Sequence, residues 1–339
     1  MKFDVSKRLR ERSHRVIPGG AHTYAKGDDQ YPELAPGFIV RGEGCHVWDP
    51  DGNEFIEYGM GLRAVTLGHG YRPVVEAACR SLRDGVNFSR PSTLEVECAE
   101  QLTRLVPSAE MVKFAKNGSD VTTAAVKLAR AHTGRDLVAI CADHPFFSVD
   151  DWFIGTTEMS AGVPQAIKDL TITFPFDSTE ALETLFAAHP GRIACVVMEA
   201  ERTRPPSPGY LIGVSEICRR NGALLVLDEM ITGFRWSNGG AQQVYGVVPD
   251  LSTFGKGLGN GHSIAALVGR RSVMEAGGLE HDRERVFLLS TTNGGETHGL
   301  AAALETMRIY EREPVIECLR RQGERLAGGV RDVVKARGL

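Results

Sequence analysis

A lysine in a glycine-rich segment is the residue of this sequence best suited to covalent chemistry on an aldehyde. Four glycines surround Lys256: Gly255, Gly257, Gly259 and Gly261. Such glycines let the backbone bend closely around a bulky group. A lysine amine has a pKa of about 10.4 in water, so a lysine that forms a Schiff base at neutral pH must be partly desolvated or lie near another cation. The alternatives are a solvated loop lysine and a phosphate loop, but Asp250 and Gly257 break the spacing of a phosphate loop.

Two adjacent carboxylates, Asp228 and Glu229, end an apolar run 28 residues before this lysine. In open α/β sheets, functional groups gather beyond the carboxyl ends of the strands. Acidic residues at such positions also cap helices or bind magnesium, so the pair alone leaves both interpretations open. A carboxylate opposite a pyridine nitrogen would keep that ring protonated and able to accept electrons when a Cα bond breaks. Asp228 is predicted to be this carboxylate.

A polar turn precedes the helix predicted at residues 121–131. The turn contains Asn117, Gly118 and Ser119. Free backbone N–H groups and the helix dipole make such a helix end a site for anions, and Ser119 adds a hydroxyl donor. The alternative is ordinary helix capping, for which the same residue types are common.

Apolar runs of strand length alternate with helical patterns, which indicates an α/β fold with a mostly parallel sheet flanked by helices. Strands are predicted at residues 137–142, 193–198, 223–227 and 264–268. Helices are predicted at residues 74–82, 94–106, 121–131, 214–220 and 300–310. Near the amino terminus, the turn at residues 49–53 separates two short runs and predicts a small antiparallel hairpin outside the main sheet.

Charge and composition argue against several classes of protein. The 39 basic and 43 acidic residues give a net charge of −4, which does not favour a nucleic-acid partner. The seven cysteines never occur as C-x-x-C, so neither a disulfide framework nor a zinc site is expected, and no other metal site is predicted. The sequence shows neither a signal peptide nor an apolar run long enough to cross a membrane. These features predict a soluble protein of the cytoplasm without a membrane partner.

Taken together, the three motifs stand in the order and spacing of one family. The sequence resembles class III aminotransferases of fold type I, and most closely their glutamate-1-semialdehyde 2,1-aminomutase branch. Further motifs that resemble the family are Ile17-Pro18-Gly19-Gly20, Trp48-Asp49-Pro50-Asp51-Gly52-Asn53, Leu67-Gly68-His69 and Met198-Glu199. The match covers almost the whole chain.

The resemblance implies pyridoxal 5′-phosphate (PLP) as the cofactor. Lys256 would form the internal Schiff base and later move a proton between the substrate Cα and C4′ of the cofactor, and Asp228 would pair with the ring nitrogen. The other cofactor-binding positions implied are Asn117, Gly118 and Ser119 at the phosphate, Phe146 and Met230 on the two faces of the ring, and Glu199. Thr292 matches a threonine that reaches the phosphate of the neighbouring subunit, which requires a homodimer.

The chain is predicted to have three regions. Residues 1–60 form an amino-terminal segment with the hairpin, residues 61–306 form the large PLP-binding domain, and residues 307–339 begin a carboxyl-terminal subdomain. Family members usually continue further, so the chain is expected to be truncated in this subdomain.

The leading functional hypothesis is a transaminase that moves an amino group from an amino acid donor to a ketone or aldehyde acceptor. The alternatives are an intramolecular aminomutase of the glutamate-1-semialdehyde type, and a non-catalytic module or inactive fragment. Where the aminomutases have an arginine for the substrate carboxylate, this chain has at best Lys26, which cannot make the same planar two-point contact. Four arginines are candidates to replace it: Arg90, Arg202, Arg204 and Arg235.

Overall fold

A seven-stranded sheet forms the centre of the computed structural model, which describes residues 1–143, 146–201 and 203–338. Its strands are β4 (Met111–Ala115), β5 (Leu137–Cys141), β6 (Thr171–Phe174), β7 (Ile193–Glu199), β8 (Leu224–Asp228), β9 (Leu251–Phe254) and β10 (Ala265–Gly269). The strand order is β4-β10-β9-β8-β7-β5-β6. All neighbours are parallel except β10, which is antiparallel to both β4 and β9. The predicted α/β fold of type I is confirmed.

The four strands predicted from apolar runs are present within two residues of their predicted bounds. Three of them, β5, β7 and β8, are parallel, as expected for strands buried on both faces. The fourth run, at residues 264–268, was also expected to be parallel, and this is wrong because β10 is antiparallel. A strand covered on both faces is apolar in either direction, so its composition does not reveal its direction.

Helices cover both faces of the sheet. They are α1 (Asp4–Val16), α2 (Met60–Arg63), α3 (Arg72–Asp84), α4 (Thr93–Leu105), α5 (Gly118–Thr133), α6 (Asp151–Ile154), α7 (Gln165–Lys168), α8 (Thr179–Ala188), α9 (Tyr210–Arg220), α10 (Ala241–Tyr245), α11 (Arg271–Met274), α12 (Thr297–Arg312) and α13 (Val315–Ala336). The five helices predicted from their periodicity are α3, α4, α5, α9 and α12. None of the described helices is long and apolar enough to cross a membrane.

Alternate residues of the central strands enter two separate cores. Cys195 and Val197 of β7 pack with α5, while Val196 and Met198 of the same strand pack with α8 and α9. This alternation follows from the two-residue period of a strand. It fixes β7 and its neighbours rigidly, so that the groups at their carboxyl ends are held in place.

The amino-terminal hairpin forms its own small sheet, with antiparallel strands β1 (Arg41–Glu43), β2 (His46–Trp48) and β3 (Glu54–Ile56). The turn between β2 and β3 also anchors α1. The Asp51 carboxylate accepts hydrogen bonds from the Val5 and Ser6 amides at 2.7 and 2.8 Å. A carboxylate at this end of a helix satisfies free N–H groups and complements the helix dipole.

Candidate active site

The strand order brings Asp228 and Lys256 together at the carboxyl-terminal ends of two neighbouring strands. Asp228 is the last residue of β8, and Lys256 lies two residues after β9, its parallel neighbour. In the register of the sheet, Asp228 is opposite Thr253 on one side and Glu199 on the other. Neighbouring strands lie about 4.8 Å apart, so three functional side chains begin within one short stretch of the sheet edge.

Asp228 is held as a buried acid. Its side chain is 2% exposed, and its carboxylate accepts a hydrogen bond from the Met230 amide at 2.7 Å. Burial raises the pKa of Asp228 to about 6, and the Lys256 charge and the Met230 amide act in the opposite direction. An acid with this pKa can share a proton with a basic nitrogen at neutral pH.

Lys256 has the opposite shift. Burial lowers the pKa of its amine, the carboxylates of Asp228 and Glu199 raise it, and the cations of Arg63 and Arg235 lower it again. Desolvation and neighbouring cations are the two conditions that make a lysine nucleophilic near neutral pH. The backbone of Lys256 is left-handed, with φ of +42°, a conformation that costs energy in a residue other than glycine.

The turn at Asn117–Ser119 faces the same edge, because β4 runs parallel to β9 and leads directly into α5. A Cβ added to Gly118 would lie 3.1 Å from the Met230 sulfur, and one added to Gly255 would lie 2.7 Å from it. The two glycines therefore let the helix end and the lysine loop approach Met230 from two sides. The Ser119 hydroxyl accepts a hydrogen bond from the Val149 amide at 3.1 Å, which leaves its own hydrogen available to a ligand.

The other predicted cofactor positions are less enclosed. The Phe146 side chain is 53% exposed and packs edge-on against Phe153, with ring centroids 5.6 Å apart. Thr292 is exposed, and its carbonyl accepts a hydrogen bond from the Asn87 side chain at 2.8 Å. Four residues beyond Thr292, the Glu296 carboxylate pairs with Lys116 at 2.5 Å. The Thr292 loop is thereby tied beside the Asn117 turn of the same chain.

Glu229, the second carboxylate of the pair, has a structural role. It is completely buried and accepts hydrogen bonds from the Thr232 hydroxyl and from the amides of Ala241 and Gln242 at 2.8 and 2.9 Å. Burial raises its pKa, and these donors oppose the shift. Glu229 therefore holds the loop after β8 to the start of α10. Of the two adjacent acids, Glu229 is the one that accepts hydrogen bonds from the amino terminus of a helix.

We expect Glu229→Ala to lower the free energy of unfolding by about 3 kcal/mol, because several buried donors lose their acceptor. Urea unfolding followed by circular dichroism measures this change. Glu216→Ala, at an exposed position of α9, is the matched control and should change stability by less than about 0.5 kcal/mol. A loss below about 1 kcal/mol for Glu229→Ala would contradict the structural role.

The candidate substrate cations lie in different surroundings. Arg204 forms an ion pair with Asp177 at 2.8 Å and stacks over Phe176, and Arg90 is exposed. Arg235 donates hydrogen bonds to backbone carbonyls, and burial lowers its pKa. Arg202 lies outside the described residues. Lys26 lines a cavity of about 380 Å³ together with residues 260–262 of the lysine loop.

Asn260 is a positioning residue that sequence reasoning missed. Its side-chain oxygen accepts a hydrogen bond from the Leu67 amide at 2.8 Å, and its side-chain nitrogen donates to the Gly68 carbonyl at 3.2 Å. These bonds join the lysine loop to residues 67–68. The available signal was an asparagine between two glycines, since asparagine tolerates the left-handed backbone, here with φ of +44°.

The residues present fit the groups of PLP. The half-buried amine of Lys256 suits its aldehyde, the buried acid of Asp228 suits its ring nitrogen, and the end of α5 suits its phosphate. Gly118 and Gly255 leave the space that a planar ring needs, because side chains there would meet Met230.

Comparison with known proteins agrees with this fit. Residues 27–337 match the model of the family described as aminotransferase class-III. Glutamate-1-semialdehyde 2,1-aminomutase of Acetivibrio thermocellus is 34% identical over 99% of this chain and 80% of the relative. The same-named protein of Methanothermobacter thermautotrophicus is 35% identical over 97% of the chain and 79% of the relative.

Two solved structures are similar over nearly the whole chain. The PLP internal aldimine form of FumI from Sphingopyxis sp. MTA144 has a TM-score of 0.90 and 31% identity, covering 98% of this chain and 79% of FumI. An omega-transaminase from Sphaerobacter thermophilus has a TM-score of 0.90 and 30% identity, covering 98% of this chain and 78% of the relative.

Proposed function

The chain belongs to the class III aminotransferase family, and from this premise we propose that it is an aminotransferase that moves an amino group from an amino acid donor to a ketone or aldehyde acceptor. Its cofactor is PLP, as in the related FumI structure. When bound, the cofactor supplies an electron sink for the bond that breaks at the substrate Cα. The observation that carries the proposal is the pairing of Lys256 and Asp228 at adjacent strand ends, with pKa values shifted in opposite directions.

The chain's own residues divide the remaining work. The Lys256 amine holds the cofactor and carries a proton at Nζ to and from the reacting carbon. Asp228 keeps a proton at the ring nitrogen, and its burial prevents water from competing for that contact. The amides and hydroxyl at Asn117, Gly118 and Ser119 bind the phosphate. Phe146 and Met230 would confine the ring on its two faces, and Glu199, buried beside Asp228, would line the site next to them.

An intramolecular aminomutase is the second candidate, because the curated relatives carry that name. Both reactions use the same lysine and acid. Where the aminomutases are expected to have an arginine, this chain has Lys26, which binds a carboxylate through one point only, so this position does not support glutamate 1-semialdehyde as the substrate. A binding module without catalysis is disfavoured, because Lys256 and Asp228 are both present and lie together.

The test is incubation of the PLP-loaded protein with a panel of amino donors, scored by loss of the visible absorption band of the cofactor and by the keto product. An aminotransferase converts one equivalent of donor and turns over repeatedly only when a second carbonyl compound is supplied. Repeated turnover of one added amino aldehyde, without a second carbonyl, would instead establish the aminomutase.

We also propose that the enzyme is a homodimer in which Thr292 binds the phosphate of the neighbouring subunit. Thr292 is exposed, so another chain could reach it, and a closed two-fold dimer would complete two equivalent sites. Thr292→Ala should weaken cofactor binding about tenfold, because one hydrogen bond to a charged group is lost.

Mixed dimers test the subunit assignment. A dimer of one Lys256→Ala chain and one Thr292→Ala chain should contain one intact site, because both defects fall in the other site. Its activity should approach half that of the wild-type dimer. If Thr292 served its own subunit, each site would carry one defect, and the mixed dimer would be no more active than the average of the two variant homodimers.

A location in the cytoplasm is part of the proposal. All seven cysteines are unpaired. Burial raises the pKa of Cys98, Cys141 and Cys195 to about 12, so these thiols are poor nucleophiles and resist oxidation. A reducing compartment suits this set of free thiols. Cell fractionation with an antibody to the protein tests the location.

A further inference from the structure

A left-handed turn lies beside the lysine loop. All four residues of α2 have positive φ: Met60 (+46°), Gly61 (+58°), Leu62 (+59°) and Arg63 (+67°). Three of them are not glycine, so each is held in a conformation that L-residues seldom adopt. Such strain persists only where the surrounding structure enforces it, and it is concentrated at functional sites.

Two groups hold this turn in place. The Glu57 carboxylate accepts a hydrogen bond from the Gly61 amide at 3.2 Å and also pairs with His69. Arg235, from the loop that follows Asp228, donates to the Arg63 carbonyl at 2.6 Å and to the Thr66 hydroxyl at 3.4 Å. The turn is therefore fastened to the same loop that carries the acid of the active site.

The segment that follows the turn approaches the residue after Lys256. A Cβ added to Gly257 would lie 3.1 Å from the Thr66 hydroxyl and 3.9 Å from Arg235 Nη2. The positive charge of Arg63 is near enough to contribute to lowering the pKa of Lys256, although burial is the main cause. Through its contact with Arg235, which also approaches Gly257, Arg63 is joined to the loop that carries Lys256.

The Arg63 guanidinium has no partner within the part of the chain that the structure describes. The side chain is exposed, and it forms neither a hydrogen bond nor an ion pair with the described residues. Arg235 differs, because its guanidinium is already engaged with the carbonyls of Ile231 and Arg63. Of the two cations beside Lys256, Arg63 presents its whole guanidinium to a ligand, whereas the half-buried Arg235 has only its Nε without a partner among the described residues.

We infer that Arg63 binds a carboxylate of the amino donor or carbonyl acceptor, and so selects acidic substrates in the proposed aminotransferase reaction. The guanidinium offers two parallel N–H donors to a carboxylate, a contact that Lys26 cannot make. Glu57 and Arg235 hold the backbone of the turn and so fix the Cα of Arg63. This restricts the positions that the guanidinium N–H groups can reach. The inference rests on the proposed function, since it assigns a substrate class to the same site.

The first test is binding without turnover. The PLP-loaded protein is titrated with propionate and with glutarate, which carry no amino group, and binding is followed by calorimetry and by the cofactor's absorption. Of the two acids, one will bind the wild-type protein more tightly. Arg63→Gln should weaken binding of that acid by about tenfold to a hundredfold, and Arg63→Lys by less. Arg63→Asn guards against misfolding, because asparagine suits a left-handed backbone, and it should reproduce the loss with an unchanged or higher melting temperature. Arg72→Gln, an exposed arginine paired with Glu76, is the matched control.

The second test compares amino acids with their decarboxylated amines, such as 4-aminobutyrate with propylamine. In Arg63→Gln, the ratio of the second-order rate constants, acid over amine, should fall at least tenfold. Wild-type protein that binds neither acid, or Arg63 variants that bind them within twofold of wild type, would overturn the inference. Wild-type protein that binds the acids through Arg63 but converts no amino donor would instead refute the proposed function alone.

Discussion

Replacing Lys256 with alanine should reduce turnover by about 10³-fold or more while leaving a folded protein that still binds PLP. The amine is the only group of the proposed site that can both hold an aldehyde and carry a proton at the reacting carbon. The phosphate contacts at Asn117, Gly118 and Ser119 remain, so the cofactor should bind reversibly and be removed by gel filtration. Steady-state kinetics and the cofactor content after filtration measure the two effects.

A readout independent of turnover identifies the lysine. Borohydride treatment of the loaded wild-type protein, followed by peptide mass spectrometry, should place the added cofactor mass on Lys256. Lys113→Ala, at an exposed position of β4, is the matched control and should retain both activity and this modification. The same mass on another lysine would be decisive against the proposed role of Lys256.

Much of the fold could be predicted because its central strands are uninterrupted apolar runs. The strands β4, β6 and β9 were not predicted, and each departs from that pattern. Strand β9 is completely buried, yet its centre is Ser252 and Thr253. Ser252 is satisfied there by hydrogen bonds with Ser108 at 3.0 Å and Gln242 at 3.2 Å. These partners are distant in sequence, so no local pattern could reveal that a polar pair was buried.

Only part of the candidate site, likewise, could be predicted from the sequence. Lys256 and Asp228 could be singled out because glycines surround one and an apolar strand precedes the other. The pattern did not show that Glu229 is structural, since its two backbone donors lie in α10, 12 and 13 residues further on. Arg63 gave even less signal. One of the two groups that hold its left-handed turn is Arg235, 172 residues away, and a contact of that range leaves no trace in the local sequence.

Asp228→Asn should make the cofactor-free protein more stable at pH 8 and at the same time reduce turnover by about 10²-fold or more. The folded-state pKa of Asp228 is about 6, raised by burial from its ordinary value of 3.8. Between these two values the acid is protonated in the folded state and ionised in the unfolded state. Stability therefore falls as pH rises from about 4 to about 6, by a total of about 3 kcal/mol, and then stays level.

An asparagine side chain does not ionise, so in Asp228→Asn the fall in stability between pH 4 and pH 6 should disappear. The hydrogen bond from the Met230 amide should be kept. The difference in free energy of unfolding between variant and wild type should grow between pH 4 and pH 6, as measured by urea unfolding of the cofactor-free proteins. Asp136→Asn, at an exposed position, should show no such growth.

Cofactor binding should reverse the order of stability. In wild type, the ionised carboxylate meets a protonated ring nitrogen, so PLP offsets the cost of burying the charge. In Asp228→Asn that interaction is lost, and PLP should raise the melting temperature less than in wild type. The acid at position 228 thus destabilises the empty protein because it is placed to stabilise the loaded one. Equal stabilisation of both proteins by PLP would show that Asp228 does not face the ring nitrogen.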